Sequence, residues 1–197
     1  DFFIRNGRFA VVVLIFVACY RLSDIAMGIM ANPFYLDMGY TKGEIAAVAK
    51  FFGFFMAIAG SACGGLAVLR YGVLPVLMAG AIAVATTNLL FAALANLEPT
   101  TAGLAVVISA DNLSGGFASA AFIAYLSSLT NRAYTATQYA LFSSLMTLPG
   151  KFMSGFSGVV VDNAGYTAFF VVAALLGLPA IYLVTLLSRR RAQGSQA

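Results

Sequence analysis

Apolar residues run through this chain in blocks of about 20, the length that carries a helix across the hydrocarbon core of a bilayer. Six such blocks fall at about 9–31, 44–66, 73–95, 102–129, 138–160 and 167–188. Turn-forming and polar residues separate them: Asn32-Pro33 to Gly43, Arg70 to Gly72, Asn96 to Thr100, Thr130 to Thr137, and Asp162 to Gly165. The pattern predicts an all-α membrane protein of six transmembrane helices with short connections.

Internal similarity divides the six helices in two. "GYTKGEIA" at 39–46 matches "AYTATQYA" at 133–140 in Tyr, Thr and Ala at an offset of 94, and each leads into a helix. "GLAVLRYG" at 65–72 and "GVVVDNAG" at 158–165 share glycines seven residues apart at an offset of 93, each between the second and third helix of its unit. The predicted repeats are therefore about 9–95 and 102–188. Each contains three crossings, an odd number, so the second is inverted relative to the first, an arrangement common among transporters.

Composition supports the membrane assignment, with 61% hydrophobic and 9% charged residues. Soluble domains carry roughly 25% charged residues. The chain has no histidine, which removes histidine triads and His-ligated metals. There is no HExxH or paired-aspartate spacing either, so no catalytic residue, metal or cofactor is expected, and an intramembrane enzyme is disfavoured. Cys19 and Cys63 lie in apolar runs without CxxC spacing and are expected to be buried. The first apolar block exceeds the h-region of a signal peptide, and the chain, which does not begin with methionine, is expected to be part of something longer.

The net charge of +4 does not imply nucleic acid; its placement is informative. Arg5, Arg8, Arg70, Arg132 and Arg189 to Arg191 fall on one side, against Lys42, Asp37, Glu44, Glu98 and Asp162 on the other. The positive-inside rule puts both termini in the cytoplasm, with 189–197 as a cytoplasmic basic tail.

Five ionisable residues remain inside the blocks: Arg21, Asp24, Lys50, Asp111 and Lys151. Counted from the outer ends of the predicted helices at about 1.5 Å per residue, they share a depth of roughly 9–15 Å. A charge at mid-membrane costs at least about 2.5–3.5 kcal/mol, so these residues are expected to pair or to line a wet cavity. That argues against a non-transporting scaffold. Arg21 and Asp24, three apart, either pair structurally or bind solute. Three bases against two acids leave a net +1, which an anionic small molecule or a missing half of the protein would balance. Asp111 is the candidate proton site. Small residues also form stripes: Lys50, Gly53, Ala57, Gly60 and Gly64 in the second helix, and Ser143, Thr147, Gly150, Ser154 and Ser157 in the fifth. Close helix packing and a solute-lined face both fit such stripes.

The doubled glycine motif resembles the signature loop of the major facilitator superfamily, G-x-L-a-D-R-x-G. The first copy keeps Gly65, Arg70 and Gly72 but has Leu69 at the acid position; the second keeps Gly158, Asp162 and Gly165. By that resemblance Arg70 is one side of a conformational gate; a solvated arginine that only fixes topology is the alternative. The stretch "DNLSGGFASAAFIAYLSSLTNRAYTATQYALFSSL" at 111–145 resembles the tenth-to-eleventh helix region of the AmpG muropeptide permease family. "YRLSDIAMGIM" resembles that family's seventh-helix Y-K-L-G-D segment, with Arg21 for lysine and Ser23 for glycine. "AAVAKFFG" resembles its lysine-bearing eighth helix at Lys50, and "PGKF" puts Lys151 where the family has Gly-Arg.

The resemblance implies the C-terminal six-helix half of a major facilitator permease in the bacterial inner membrane. Its partners would be membrane lipid, an N-terminal half of the same protein, protons and an anionic glycopeptide. The implied activity is proton-driven import of anhydro-muropeptides for cell-wall recycling and β-lactamase induction. Arg21, Asp24, Lys50, Asp111, Asn112 and Lys151 become candidate binding or coupling residues, with Gly115 and Gly116 serving packing or helix flexing. Asp at 111 where the family has Glu, and Lys at 151 where it has Arg, leave the cargo open, and related proteins carry acetyl-CoA.

Overall fold

The computed structural model describes residue 7, residues 9–130 and residues 135–194. Arg5, Arg8, Arg132 and the start of the second tyrosine repeat lie outside the described residues. Every element among the described residues is helical. The first crossing is α1 (Phe9–Tyr20) continued by α2 (Leu22–Asp37). The second is α3 (Lys42–Val48), a π-helical turn (Ala49–Gly53) and α4 (Phe54–Tyr71). The third is α5 (Val73–Leu94) and the fourth α6 (Thr101–Leu129). Then come α7 (Thr135–Ser154), α8 (Ser157–Leu175) and α9 (Leu178–Gly194).

Five stretches are long and apolar enough to cross a membrane, and the last of them, Ser157–Arg190, is 34 residues long. It is the end of one crossing and the whole of the next, joined at a bend, because Gly165 sits inside α8 at φ 78° and ψ 170°. The segment before the bend extends α7 into the fifth crossing, and the segment after it continues into α9 as the sixth. Gly72, which ends the second crossing, has φ 83° and ψ 169°. Two glycines 93 residues apart thus adopt the same backbone conformation, one that residues with a Cβ essentially never adopt, at the same joint of each three-helix unit. The chain is six transmembrane helices in two inverted three-helix units.

The helix ends differ from expectation in physical ways. The first crossing does not stop at Asn32-Pro33; Pro33 is inside α2, which continues to Asp37. The turn after the proline buries Phe34 and Tyr35. Phe34 packs edge-on against Phe170 with centroids 4.9 Å apart, and Tyr35 stacks on Phe91. Aromatic pairs contribute about 0.5–1.5 kcal/mol each beyond their burial, which offsets the hydrogen bond that proline removes. The second crossing starts two residues early, at Lys42, because Thr41 accepts from the Glu44 backbone N–H while the Glu44 carboxylate accepts from the Thr41 backbone N–H.

The second crossing lies along the fourth, the third packs on the fourth and sixth, and the first packs on the fifth and sixth. Two apolar cores result. One, around Phe16, Tyr20, Leu77, Phe122 and Val184, lies toward the chain ends; the other, around Phe34, Phe91, Leu104 and Phe170, lies toward the 38–41 and 95–100 turns. Large apolar side chains such as Phe51, Phe54, Phe55 and Phe152 are exposed, as lipid-facing positions are. Cys63 is exposed too, not buried as expected, and Cys19 is partly buried.

Candidate functional site

Between the two cores lies a polar waist. Ser23, Thr87, Asn88 and Ser114 are buried there. Arg21, Asp24, Asp111 and Asn112 sit beside them, each partly buried. The waist begins where the first crossing breaks: Arg21 has φ −96° and ψ 2°, between α1 and α2. This break turns the Arg21 side chain toward the fourth crossing, where its Nη1 donates to Ser119 Oγ while its Nη2 bonds Asp24 Oδ2 at 2.5 Å. The two side chains are 27% and 21% exposed, so the pair is neither solvated nor sealed. Structural pairing, one of the two readings of these residues, is therefore present. A small cavity beside the pair is lined by Tyr20, Arg21, Ser23, Asp24, Gly115 and Ala118.

Asp111 lies one turn before Gly115, where the nearest atom to a Cβ would be Asp24 Oδ1 at 4.0 Å, so the two carboxylates belong to one polar region. Among the described residues it has no side-chain hydrogen bond or salt bridge, although its backbone carbonyl accepts from Ser114 Oγ. The cluster Arg21, Asp24 and Asp111 thus carries one base against two acids. Lys50 and Lys151 do not join it by any ion pair among the described residues, and both are exposed. The expected net +1 is spread over four crossings and is not gathered at one point. Depth differs as well. Counted from the observed helix ends at about 1.5 Å per residue, Lys50 and Asp111 are about 12–15 Å in, and Asp24 and Arg21 about 20–24 Å, because α2 runs six residues further than predicted. Lys151 follows Gly150, whose position packs on Ile25, so it lies level with Asp24.

Asn112 donates Nδ2 to the Ile108 carbonyl of its own helix and sits against Gly53, placing its amide between the second and fourth crossings. The adjacent glycines have separate tasks. A Cβ on Gly116 would overlap the Ala57 carbonyl oxygen, so Gly116 is a packing residue; at Gly115 the nearest atom to such a Cβ is Asp24 Oδ1, 4.0 Å away, and the residue borders the polar cluster. The small stripe of the second crossing is a packing surface, with Gly60 against the Leu113 backbone and Gly64 against Phe117. Lys50 stands at the upper end of that stripe in the π-helical turn, a local irregularity frequent at functional sites. Above it, an open cleft of about 380 Å³ is lined by Asn32, Leu36, Lys42, Ile45, Ala46 and Ala49. Of the loop candidates, Arg70 is exposed and 5.4 Å over the Tyr71 ring, Gly65 has no neighbour within 4 Å of a Cβ, and Gly72 forms the joint described above.

Sequence reasoning missed Ser23 and Asn88 as site residues. The signal for Asn88 was present, a lone amide in the apolar 73–95 block; Ser23 was noticed only as a serine in place of glycine.

No protein-family model matches the chain. Curated relatives do. The chain is 34% identical over 190 residues to a protein of Rickettsia felis named as a transporter, AmpG 4, covering 96% of this chain and 45% of that protein. The AmpG 4 transporter of Rickettsia conorii matches at 35% with the same coverage. AmpG 1 of Rickettsia bellii, likewise named as a transporter, matches at 33% over 181 residues, 92% of this chain and 44% of that protein. The chain spans about half the length of the curated relatives it matches.

Proposed function

The chain belongs to the AmpG-like family and corresponds to about half of such a protein, and from that premise we propose that it is the C-terminal six-helix half of a secondary transporter for an anionic solute. Its setting is the bacterial inner membrane, with both termini of this half in the cytoplasm and 189–197 as a basic tail. An N-terminal half completes the cavity, and the cargo is an anhydro-muropeptide imported with protons for cell-wall recycling, the step that also supplies β-lactamase induction.

The observation that carries the reading is the polar waist. An arginine at a helix break, two neighbouring carboxylates and two exposed lysines occur in a bundle whose other faces suit lipid. A pure scaffold has no use for these costly groups. In the proposed cycle Lys50 and Lys151 attract the solute's carboxylates through the open cleft, Arg21 exchanges its contact with Asp24 for the solute, and Asp111 takes up and releases the proton. No metal, cofactor or catalytic residue is assigned, and Arg70 is the gate residue between the second and third crossings.

The test is uptake of labelled anhydro-muropeptide into proteoliposomes holding the full-length protein, with and without an inward proton gradient. Gradient-driven uptake that Asp111→Asn abolishes is the expected result. Absence of uptake by correctly folded protein, with an acyl-CoA or another anion carried instead, would change the cargo. Absence of transport for any anion would end the transporter reading.

A further inference from the structure

The sixth crossing is interrupted at Leu176–Gly177, between α8 and α9. In an unbroken helix the Gly177 N–H would bond the carbonyl of Ala173. Here it bonds Ala174 at 3.0 Å instead, freeing the Ala173 carbonyl inside the bundle. A buried carbonyl without a donor is costly. The donor comes from the first crossing: Ser23 Oγ, 2% exposed, donates to Ala173 O at 2.6 Å. Ser23 in turn accepts from Asn88 Nδ2 of the third crossing at 2.7 Å. Three crossings therefore meet at one hydroxyl.

Asn88 is fully buried, and its Oδ1 has no partner among the described residues. An apolar side chain would fill the same space without that unbonded oxygen. What the amide adds is its bond to Ser23, whose hydroxyl is thereby turned toward Ala173. Ser23 lies in the turn that holds Arg21 and Asp24, and the side chains of that turn diverge: Ser23 points back to the third and sixth crossings, while Arg21 reaches forward to Ser119 of the fourth.

We propose that Asn88 and Ser23 are positioning residues for the Arg21–Asp24 pair, fixing the rotation and depth of the broken first crossing by tying it to the break in the sixth. The inference rests on the transport reading for its functional consequence but not for its geometry. Movement of the sixth-crossing break is transmitted through Ser23 to Arg21, so solute contact at Arg21 and bending at Gly177 are linked. Neither residue touches the solute.

The experiment uses the full-length protein with Ser23→Ala and, separately, Asn88→Leu. Three readouts are taken: hydrogen exchange of 174–181, the rate at which phenylglyoxal modifies Arg21 as read by peptide mass spectrometry, and the KM and turnover of anhydro-muropeptide uptake. Ser23→Ala is expected to speed exchange in 174–181 by about tenfold, leave exchange around Gly155 unchanged, raise Arg21 modification severalfold and raise KM more than it lowers turnover. Asn88→Leu is expected to move all readouts the same way and less far. Unchanged exchange in Ser23→Ala overturns the tie between crossings. Faster exchange with unchanged Arg21 reactivity overturns the positioning role. Failure of the transport reading is separate, appearing as no uptake by the unaltered protein, and the first two readouts then still decide.

Discussion

Removing the guanidinium of Arg21 leaves Asp24 without its base, with Asp111 on the neighbouring fourth crossing, in a waist flanked by apolar cores. A carboxylate of reduced solvation that loses its base is left uncompensated. Arg21→Met, which keeps the stem and deletes the charge, is therefore expected to destabilise the protein by about 1–3 kcal/mol, read as a lower midpoint of thermal unfolding in detergent. Part of that loss is the stranded acid and not the missing contact, so adding Asp24→Asn should restore stability. A double-mutant cycle with a coupling below about 0.5 kcal/mol would show that the observed pair is not an energetic unit. At this scale the sequence was informative: charge and three-residue spacing marked Arg21 and Asp24 as a structural pair or a solute site, and the structure shows the pair. It could not show that Asp111 stays outside the pair or that Lys50 and Lys151 stand apart, because those facts depend on how far each helix runs and how it turns.

Helices in lipid gain no hydrophobic drive toward one another, so contact between them rests on close packing. The contact of the second and fourth crossings is set by Gly60, Gly64 and Gly116, each with backbone of the facing helix where a Cβ would go. Gly60→Ala is expected to cost about 1–3 kcal/mol through overpacking. Gly65→Ala, in the same helix with nothing within 4 Å of the new methyl, is expected to stabilise by up to about 1 kcal/mol. Equal effects on the unfolding midpoint would mean that helix propensity, not approach distance, governs this interface. At the two joints, Gly72→Ala and Gly165→Ala should each cost about 1–3 kcal/mol, whereas an unequal pair would contradict their matching backbone geometry. The joints were legible in the sequence because only glycine holds that conformation. The break at Leu176–Gly177 had a mark in Gly177 and Pro179 that went unused. The break at Arg21 was not legible, since its side chain is held by another crossing and leaves little local mark. Pro33 misled for the same reason: Phe34 and Tyr35 anchor the helix beyond it, and tertiary contact overrides the local signal.

Across the whole molecule, exposed apolar faces, a polar waist and an open cleft fit the proposal that lipid covers one side and a second bundle the other. Alternating access needs two halves rocking about a site between them, and this chain spans about half of its relatives. The isolated chain is accordingly expected to insert and fold but not to transport, and co-expression with the complementary half of the full-length protein should restore uptake. The lysines then separate attraction from coupling. Lys50 and Lys151 lie on different crossings and are exposed, so each adds to the field in the cavity without being needed to hold the fold. Replacing both with glutamine should raise KM for a multiply charged anion by about tenfold, the equivalent of 1.4 kcal/mol, with turnover and the unfolding midpoint nearly unchanged. Added salt should narrow that difference, because field effects in a wet cavity are screened. A fall in turnover at unchanged KM would instead place the lysines in the conformational step, and the attraction of the solute would then fall to Arg21 alone.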